Sequence, residues 1–270
     1  MATSHNDNSD KRANASDSRA GGGGIETARR VLELLLAFSR EHHTRTTKEL
    51  AEATGIPLPT TYRYVSFLRG MGLLVERPGG GYSLSARIVG LAQAADAAET
   101  LVDVAHPVMQ RLSDETGESV ILVRLIGGSA VCVHRIESQQ HLRISFEPGQ
   151  PLPAQRGASA KLLLASLPAA DLRRRLDEIG ADDPSHAKQL AADVALAGER
   201  RWATSSQEID AGIWAAAAAV LEGDRIVASL SVPSPLMRAP AEQQEQLLER
   251  VRSAADDINA ALRKSAVAPT

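Results

Sequence analysis

From Ile25 to Ser39 apolar residues recur at helical spacing, with Ala28, Val31, Leu32, Leu35 and Phe38 on one side, the pattern of an amphipathic helix. A second helix is expected to open at Thr46. Thr46 and Glu49 stand three apart, the spacing at which each side chain satisfies the other's backbone N–H. This helix carries Leu50 and Ala51 inward and stops at Gly55, where glycine can take the left-handed conformation that ends a helix. Pro59 favours a first helical position, and a third helix runs on through Thr60–Arg69. Val65, Leu68 and either Tyr62 or Thr61 face its core; Thr60, Arg63, Tyr64 and Phe67 are left on the other sides. Two helices across a short glycine-containing turn make a helix-turn-helix unit. Leu73–Arg77, the loop Pro78-Gly79-Gly80-Gly81 and Tyr82–Leu84 then read as a β-hairpin. In that order the elements spell a winged helix over residues 25–85.

Residues 86–98 are alanine-rich and helix-prone, the expected linker helix. The next helix sets Leu101, Val104, Val108 and Leu112 on one face and ends at Gly117. Strand-like runs follow at Ser119–Ile126, Ala130–Glu137 and Leu142–Phe146, the first two joined across Gly127-Gly128. Residues 157–200 read as mainly helical. Strands return at Trp202–Ser206, Gly212–Leu221 and Arg225–Val232, and a last helix carries Leu247, Val251, Ala254, Ile258 and Leu262. Strands grouped between helices without strict alternation indicate an α+β domain over residues 99–266. Residues 1–24 contain no Val, Leu, Ile, Phe, Tyr or Trp and are expected to form a disordered tail, having nothing to bury against the entropy of ordering.

Two domains also suit the length, 270 residues, at about 100–200 residues per domain. Charge divides between them. Residues 25–90 hold 9 Lys/Arg and 6 Asp/Glu, whereas residues 91–270 hold 18 and 24; with a neutral tail the net charge is −3. A basic small module joined to an acidic larger one suits a DNA reader coupled to a sensor. Cys132 is the single cysteine, so no internal disulfide or multi-cysteine zinc site is available, and a reducing cytoplasm is the expected location. No apolar run approaches the roughly 18 residues of a membrane span, and the first residues lack the apolar core of a secretory signal; no membrane partner is expected.

Four segments carry a family resemblance. GIPLPTTYRYVSFLRGMGLL (55–74), GQPLPAQRGASAKLLLASLP (149–168), SSQEIDAGIWAAAAAV (205–220) and IVASLSVPSP (226–235) are similar, in order and spacing, to motifs of the IclR family of bacterial transcriptional regulators. The resemblance implies an N-terminal winged helix-turn-helix, a linker helix and a GAF-like effector-binding domain. It implies double-stranded operator DNA and a small-molecule effector as partners, and self-association into dimers or dimers of dimers. The expected role is a ligand-responsive repressor of a catabolic operon that senses a small organic acid or aromatic derivative. There are departures. Pro59 stands where the family usually has Ser, and Ser159 where a small Gly or Ala is usual. Ser205 and Ala215 replace the Asp and Cys of some members; Ser231 keeps a ligand-facing serine, while Pro233 replaces a second.

The candidate DNA-contacting residues are Thr46, Thr47, Thr60, Thr61, Arg63, Tyr64 and Arg77. Arg63 can make the bidentate guanine contact for which arginine is suited; threonines reach phosphates or thymine methyls, and Arg77 with the wing glycines can lie along the backbone. The candidate ligand-binding residues are His141, Ile144, Ala158, Ser159, Ser205, Ala215 and Ser231. Gly157–Lys161 opens a helix whose first N–H groups favour an anion, and Ile213, Ala215, Ala217 and Ala219 put small side chains on one strand face. Trp214 is expected in the core. A rival reading is a hydrolase with Ser159 as nucleophile, aided by Lys161 or a histidine. Against it, the second glycine of a nucleophile elbow is missing, and Ser159 and Lys161 diverge by about 200° on a helix. Ser185-His186-Ala187-Lys188 fits a Ser-x-x-Lys pattern without a companion motif, and no histidines show metal-ligand spacing. No catalytic residue, cofactor or metal is expected.

Overall fold

The computed structural model describes residues 14–39, 41–96 and 100–267. It divides into two compact units, residues 1–98 and 99–270. The first contains α1 (Asn14–Leu36), α2 (Thr47–Thr54), α3 (Leu58–Gly70), the hairpin β1 (Leu74–Glu76) and β2 (Tyr82–Leu84), and α4 (Ala86–Asp96).

α1 starts eleven residues before Ile25 and runs through the four glycines expected to close a disordered tail; residues 1–13 of that tail lie outside the described residues. Once a packed segment nucleates a helix, each added residue contributes a hydrogen bond, which offsets the roughly 1 kcal/mol that each glycine costs. Its inward stripe is Val31, Leu34 and Leu35, joined in the core by Phe38 just past the helix end, with Leu34 fully buried and Leu32 turned outward. α2 begins as expected, capped by Thr46 in a reciprocal box with Glu49, and ends at left-handed Gly55. α3 starts one residue before Pro59, with Pro57 preceding it. Leu34, Leu50, Ile56, Tyr64, Val65, Leu68 and Leu74 form one core. β1 and β2 pair antiparallel in the register Leu74↔Leu84, and Arg45 makes an isolated antiparallel bridge to Tyr82. α4 matches the expected linker helix over its described residues.

The second unit opens with α5 (Thr100–Thr116), β3 (Val120–Ile126), β4 (Ser129–Ile136) and β5 (Pro151–Leu152). Three helices follow, α6 (Ala158–Ala165), α7 (Ala169–Asp182) and α8 (Pro184–Arg200), then β6 (Trp202–Ser206), β7 (Ile213–Glu222), β8 (Arg225–Pro235) and α9 (Ala241–Val267). The strands make one antiparallel sheet in the order β5-β4-β3-β8-β7-β6. Alternation along the strands sends each face to its own layer. Trp214, Ala216, Ala218 and Val220 of β7, with Leu122, Leu230 and Val232, pack on α5 and α9. Ala217 and Ala219 of the same strand meet Ala158 and Leu162 of α6 and Ala197 of α8. A sheet between two helical layers is the α+β, GAF-like architecture.

One expected strand is absent. Residues 142–146 are irregular, and the edge of β4 is taken by residues 149–152 instead. Cys132 donates its N–H to the Gln150 carbonyl at 3.1 Å and accepts from the Gly149 N–H at 2.7 Å, while Ala130 pairs with Leu152. The side chains of 142–146 are drawn elsewhere: Arg143 and the Ser145 hydroxyl donate to the Glu137 carboxylate at 2.9 and 3.0 Å, and Arg135 pairs with Glu147 at 2.9 Å.

Candidate functional site

The first unit presents α3 as its readable surface. Thr61, Tyr64, Val65 and Leu68 fall on an i, i+3, i+4, i+7 stripe and are buried, which turns Pro59, Tyr62, Arg63, Ser66 and Phe67 outward. Arg63 is exposed, its guanidinium carbon 5.6 Å from the centroid of the Tyr64 ring, a cation–π contact that steadies the stem of a projecting charge. Thr60 is half-buried on the flank of this face. Arg77 is exposed at the base of the wing loop, where its Nε donates to Ser83 Oγ at 2.7 Å, and Gly79 and Gly80 carry the chain round with positive φ.

Three candidate DNA-contacting residues are corrected. Tyr64 is 6 % exposed in the core, because the buried stripe passes through it. Thr61 is fully buried, its hydroxyl donating to the carbonyls of Ile56 and Pro57 at 3.2 Å each. Thr47 is buried as the first residue of α2. None has surface to offer a duplex. Thr46 is exposed, but its side chain serves the cap: it accepts the Glu49 N–H at 3.3 Å and donates to Glu49 Oε2 at 2.9 Å. Tyr62, 58 % exposed, belongs to the outward face instead; its position three after Pro59 and one before Arg63 is the sequence signal that could have found it.

In the second unit, six of the seven candidate ligand-binding residues converge on one cavity. Ile144, Ala158, Ser159, Ser205, Ala215 and Ser231 all line it, alongside apolar walls from Ile121, Phe146, Leu152 and Ile213. His141 does not; it is exposed in the irregular segment, because the strand expected to aim it inward does not form. The cavity has a volume of about 40 Å³. That is well short of the ~150 Å³ void that admits benzene, so a ring-sized ligand requires the walls to move apart.

Its polar end is the first turn of α6. The N–H groups of Ala158, Ser159 and Ala160 have no acceptor inside the helix, and all three residues line the cavity. The Ser229 hydroxyl donates to Ser159 Oγ at 3.1 Å, and the Ser231 hydroxyl donates to the Ala216 carbonyl at 2.9 Å. Ser205 is buried and lines the cavity with a hydroxyl that bonds to no other described residue. Arg156, Glu208 and Asp210 also line the cavity; Glu208 accepts from Lys161 Nζ at 2.7 Å, and that ammonium also reaches Asp193 at 3.2 Å and the Thr204 carbonyl at 3.1 Å. Glu208 also accepts the Gly157 N–H at 2.9 Å. Gly157 has φ +92°, and a Cβ there would stand 2.7 Å from Ile209 Cδ1, so glycine is required for the 207–212 loop to close on α6.

The chemistry of a hydrolase is not assembled. Lys161 is turned to Glu208 and Asp193, away from Ser159. The Ser185 hydroxyl donates to Asp183 at 2.8 Å. Burial pushes the Cys132 thiol up to about 11, leaving it protonated and unreactive. Among the described residues no cluster of three or more His, Cys, Asp or Glu could hold a metal, and no helix is long and apolar enough to cross a membrane.

Comparison with known proteins agrees with both units. Residues 27–78 match the IclR helix-turn-helix domain, and residues 93–260 match the bacterial transcriptional regulator IclR C-terminal domain. The chain is 30% identical over 241 residues to the probable transcriptional regulator SauR of Cupriavidus necator, covering 85% of this chain and 92% of that one. It is 23% identical over 249 residues to the transcriptional repressor IclR of Escherichia coli, covering 88% and 90%. Among solved structures it superposes with an IclR homologue from Microbacterium hydrocarbonoxydans complexed with 4-hydroxybenzoate, with a TM-score of 0.71, 23% identity and coverage of 88% and 99%. The chain belongs to the IclR family of bacterial transcriptional regulators, DNA-binding proteins rather than enzymes.

Proposed function

We propose that this protein is an effector-responsive repressor of a catabolic operon, and that its effector is a small organic acid or an aromatic derivative of one. The observation that carries the reading is the convergence, on one cavity, of an unsatisfied helix N-terminus, the Ser205 hydroxyl and apolar walls. The first-turn N–H groups of α6 receive the carboxylate; Ser159 and Ser205 add hydroxyl donors; Ile121, Ile144, Phe146 and Ile213 enclose the body. The 4-hydroxybenzoate held by the homologue makes that compound the first probe, and its ring would have to part the apolar walls of a cavity of about 40 Å³. Operator DNA lies on the outward face of α3, with Arg63 to base edges and Arg77 of the wing to the backbone. Two winged helices of a dimer would occupy half-sites about 34 Å apart, or a multiple of that distance. The cytoplasm is the compartment such a regulator works in.

Thermal unfolding and duplex binding test this together. Wild type should unfold at higher temperature in the presence of 4-hydroxybenzoate or a related acid, because a ligand selective for the folded state stabilises it. Ser159→Leu should abolish that shift and the effector response while leaving duplex affinity unchanged. A Ser159→Leu protein with the wild-type response would place the effector outside this cavity.

A further inference from the structure

Among the described residues, one buried side-chain polar atom lacks a hydrogen-bond partner: Nε of Arg45. A buried donor without an acceptor forfeits about 1–3 kcal/mol, and native structures seldom keep one without a reason. The backbone of Arg45 is firmly placed. Its N–H donates to the Tyr82 carbonyl at 2.9 Å and its carbonyl accepts the Tyr82 N–H at 2.7 Å, tying it to the wing, and the next residue is Thr46, the cap of α2.

The side chain has no matching anchor. Other arginines of this unit are engaged: Arg29 and Arg30 with Glu26, Arg69 with Glu76, Arg77 with Ser83, and Arg87 with the Met71 carbonyl. The acid beside Arg45 is Glu49, whose carboxylate is spent on the backbone N–H and hydroxyl of Thr46. Those bonds hold the Glu49 carboxyl below its usual range, with a smaller contribution from the charges of Arg45 and His42. Arg45 forms no ion pair with any described residue. A guanidinium whose resting rotamer leaves a donor unmet loses nothing by swinging toward an acceptor outside the protein.

We propose that Arg45 is a positioning clamp for a phosphate of the DNA duplex, fixing the wing and the start of α2 on one strand while α3 reads bases. The inference rests on the DNA-binding reading and adds a contact that the helix-turn-helix pattern did not mark. Such a contact carries charge but no sequence information. Its loss should therefore weaken all duplexes alike and flatten the salt dependence.

The test measures fluorescence anisotropy of the full chain and its Arg45→Gln and Arg45→Lys variants on two labelled duplexes, one from the promoter region of its own gene and one scrambled, across a potassium chloride series. Arg45→Gln should lower the slope of log affinity against log salt on both duplexes by about 0.9 for each protomer, about 1.8 for a dimer that grips both half-sites. A tenfold dilution of salt would then tighten the dimeric variant about sixtyfold less than wild type. The promoter-to-scrambled affinity ratio should stay at the wild-type value, and Arg45→Lys should restore the slope. A wild-type slope in Arg45→Gln would overturn the proposal, as would a loss confined to the promoter duplex. Inorganic phosphate at constant ionic strength separates a duplex contact from a free-anion site. Displacement of wild type from the scrambled duplex no better than by chloride supports the clamp; displacement that Arg45→Gln abolishes makes it a free-phosphate site instead. Failure of wild type to hold either duplex would sink the DNA-binding reading itself, a result distinct from an unchanged slope.

Discussion

Tyr62 and Tyr64 lie two positions apart on α3 and differ by about half of their surface, 58 % exposed against 6 %. On a helix two positions turn the side chain through about 200°, so a stripe that buries one tyrosine must expose the other. Tyr64→Ala should cost the first unit about 3–5 kcal/mol, the scale of emptying an aromatic site in a core. Tyr62→Ala should leave stability within about 0.5 kcal/mol and weaken duplex binding. Chemical unfolding and anisotropy on both variants decide it; a stable Tyr64→Ala, or a Tyr62→Ala with undiminished affinity, would return the buried stripe to its alternative phase. The sequence left that phase open because α3 has few unambiguous apolar residues. Val65 and Leu68 mark the stripe, but Thr61, Tyr62 and Tyr64 are amphipathic, and a threonine whose hydroxyl finds a carbonyl is as well buried as a valine. Thr46, Glu49 and Gly55 were legible for the opposite reason: capping and left-handed backbone each demand a small set of residue types.

Among the elements, strands with covered faces were readable and the edge of the sheet was not. β3, β4, β6, β7 and β8 follow runs whose apolar content needs burial on a helix layer. The run Leu142–Phe146 has the same alternation, yet Glu137 captures Arg143 and Ser145 and bends the segment over the cavity, so Ile144 reaches the site by a loop and His141 misses it. Long-range ion pairs of this kind have no local signature. Nor does the contact between α5 and β4, where His106 Nδ1 and His134 Nε2 lie 2.9 Å apart. One ring must donate and the other accept. Burial lowers the His134 pKa, and the nearby His106 charge lowers it further. The unfolded chain therefore takes up this proton more readily than the folded one. Stability from the pair is present above the ordinary imidazole value of about 6.5 and is lost as pH falls from there through the depressed folded value. The thermal midpoint of the second unit should drop as pH falls below about 6.5, and His134→Gln should flatten that decline. An equal decline in the variant would assign it to other groups.

For the molecule as a whole, the chain leaves the DNA-reading unit through α4 and enters the effector unit at α5, and regulation demands that occupancy of one site alter the affinity of the other. A bound acid that favoured no particular state of the DNA-reading unit would switch nothing, however tightly the cavity held it. Coupling is reciprocal: whatever factor the effector imposes on operator affinity, the operator must impose on effector affinity. For a repressor released by its effector, the expected factor is a weakening of about 5–150-fold, corresponding to about 1–3 kcal/mol. Titrating the acid that raises the unfolding temperature into free protein and into the protein–duplex complex should give dissociation constants that differ by this factor. The duplex titrated with and without the acid should give the same factor. The cavity alone cannot produce this difference, since its walls all belong to the second unit. Equal effector affinity in the two titrations would leave a protein with a pocket and a winged helix but no sensor. A matched pair of factors would make the acid held at α6 the signal that the winged helix obeys.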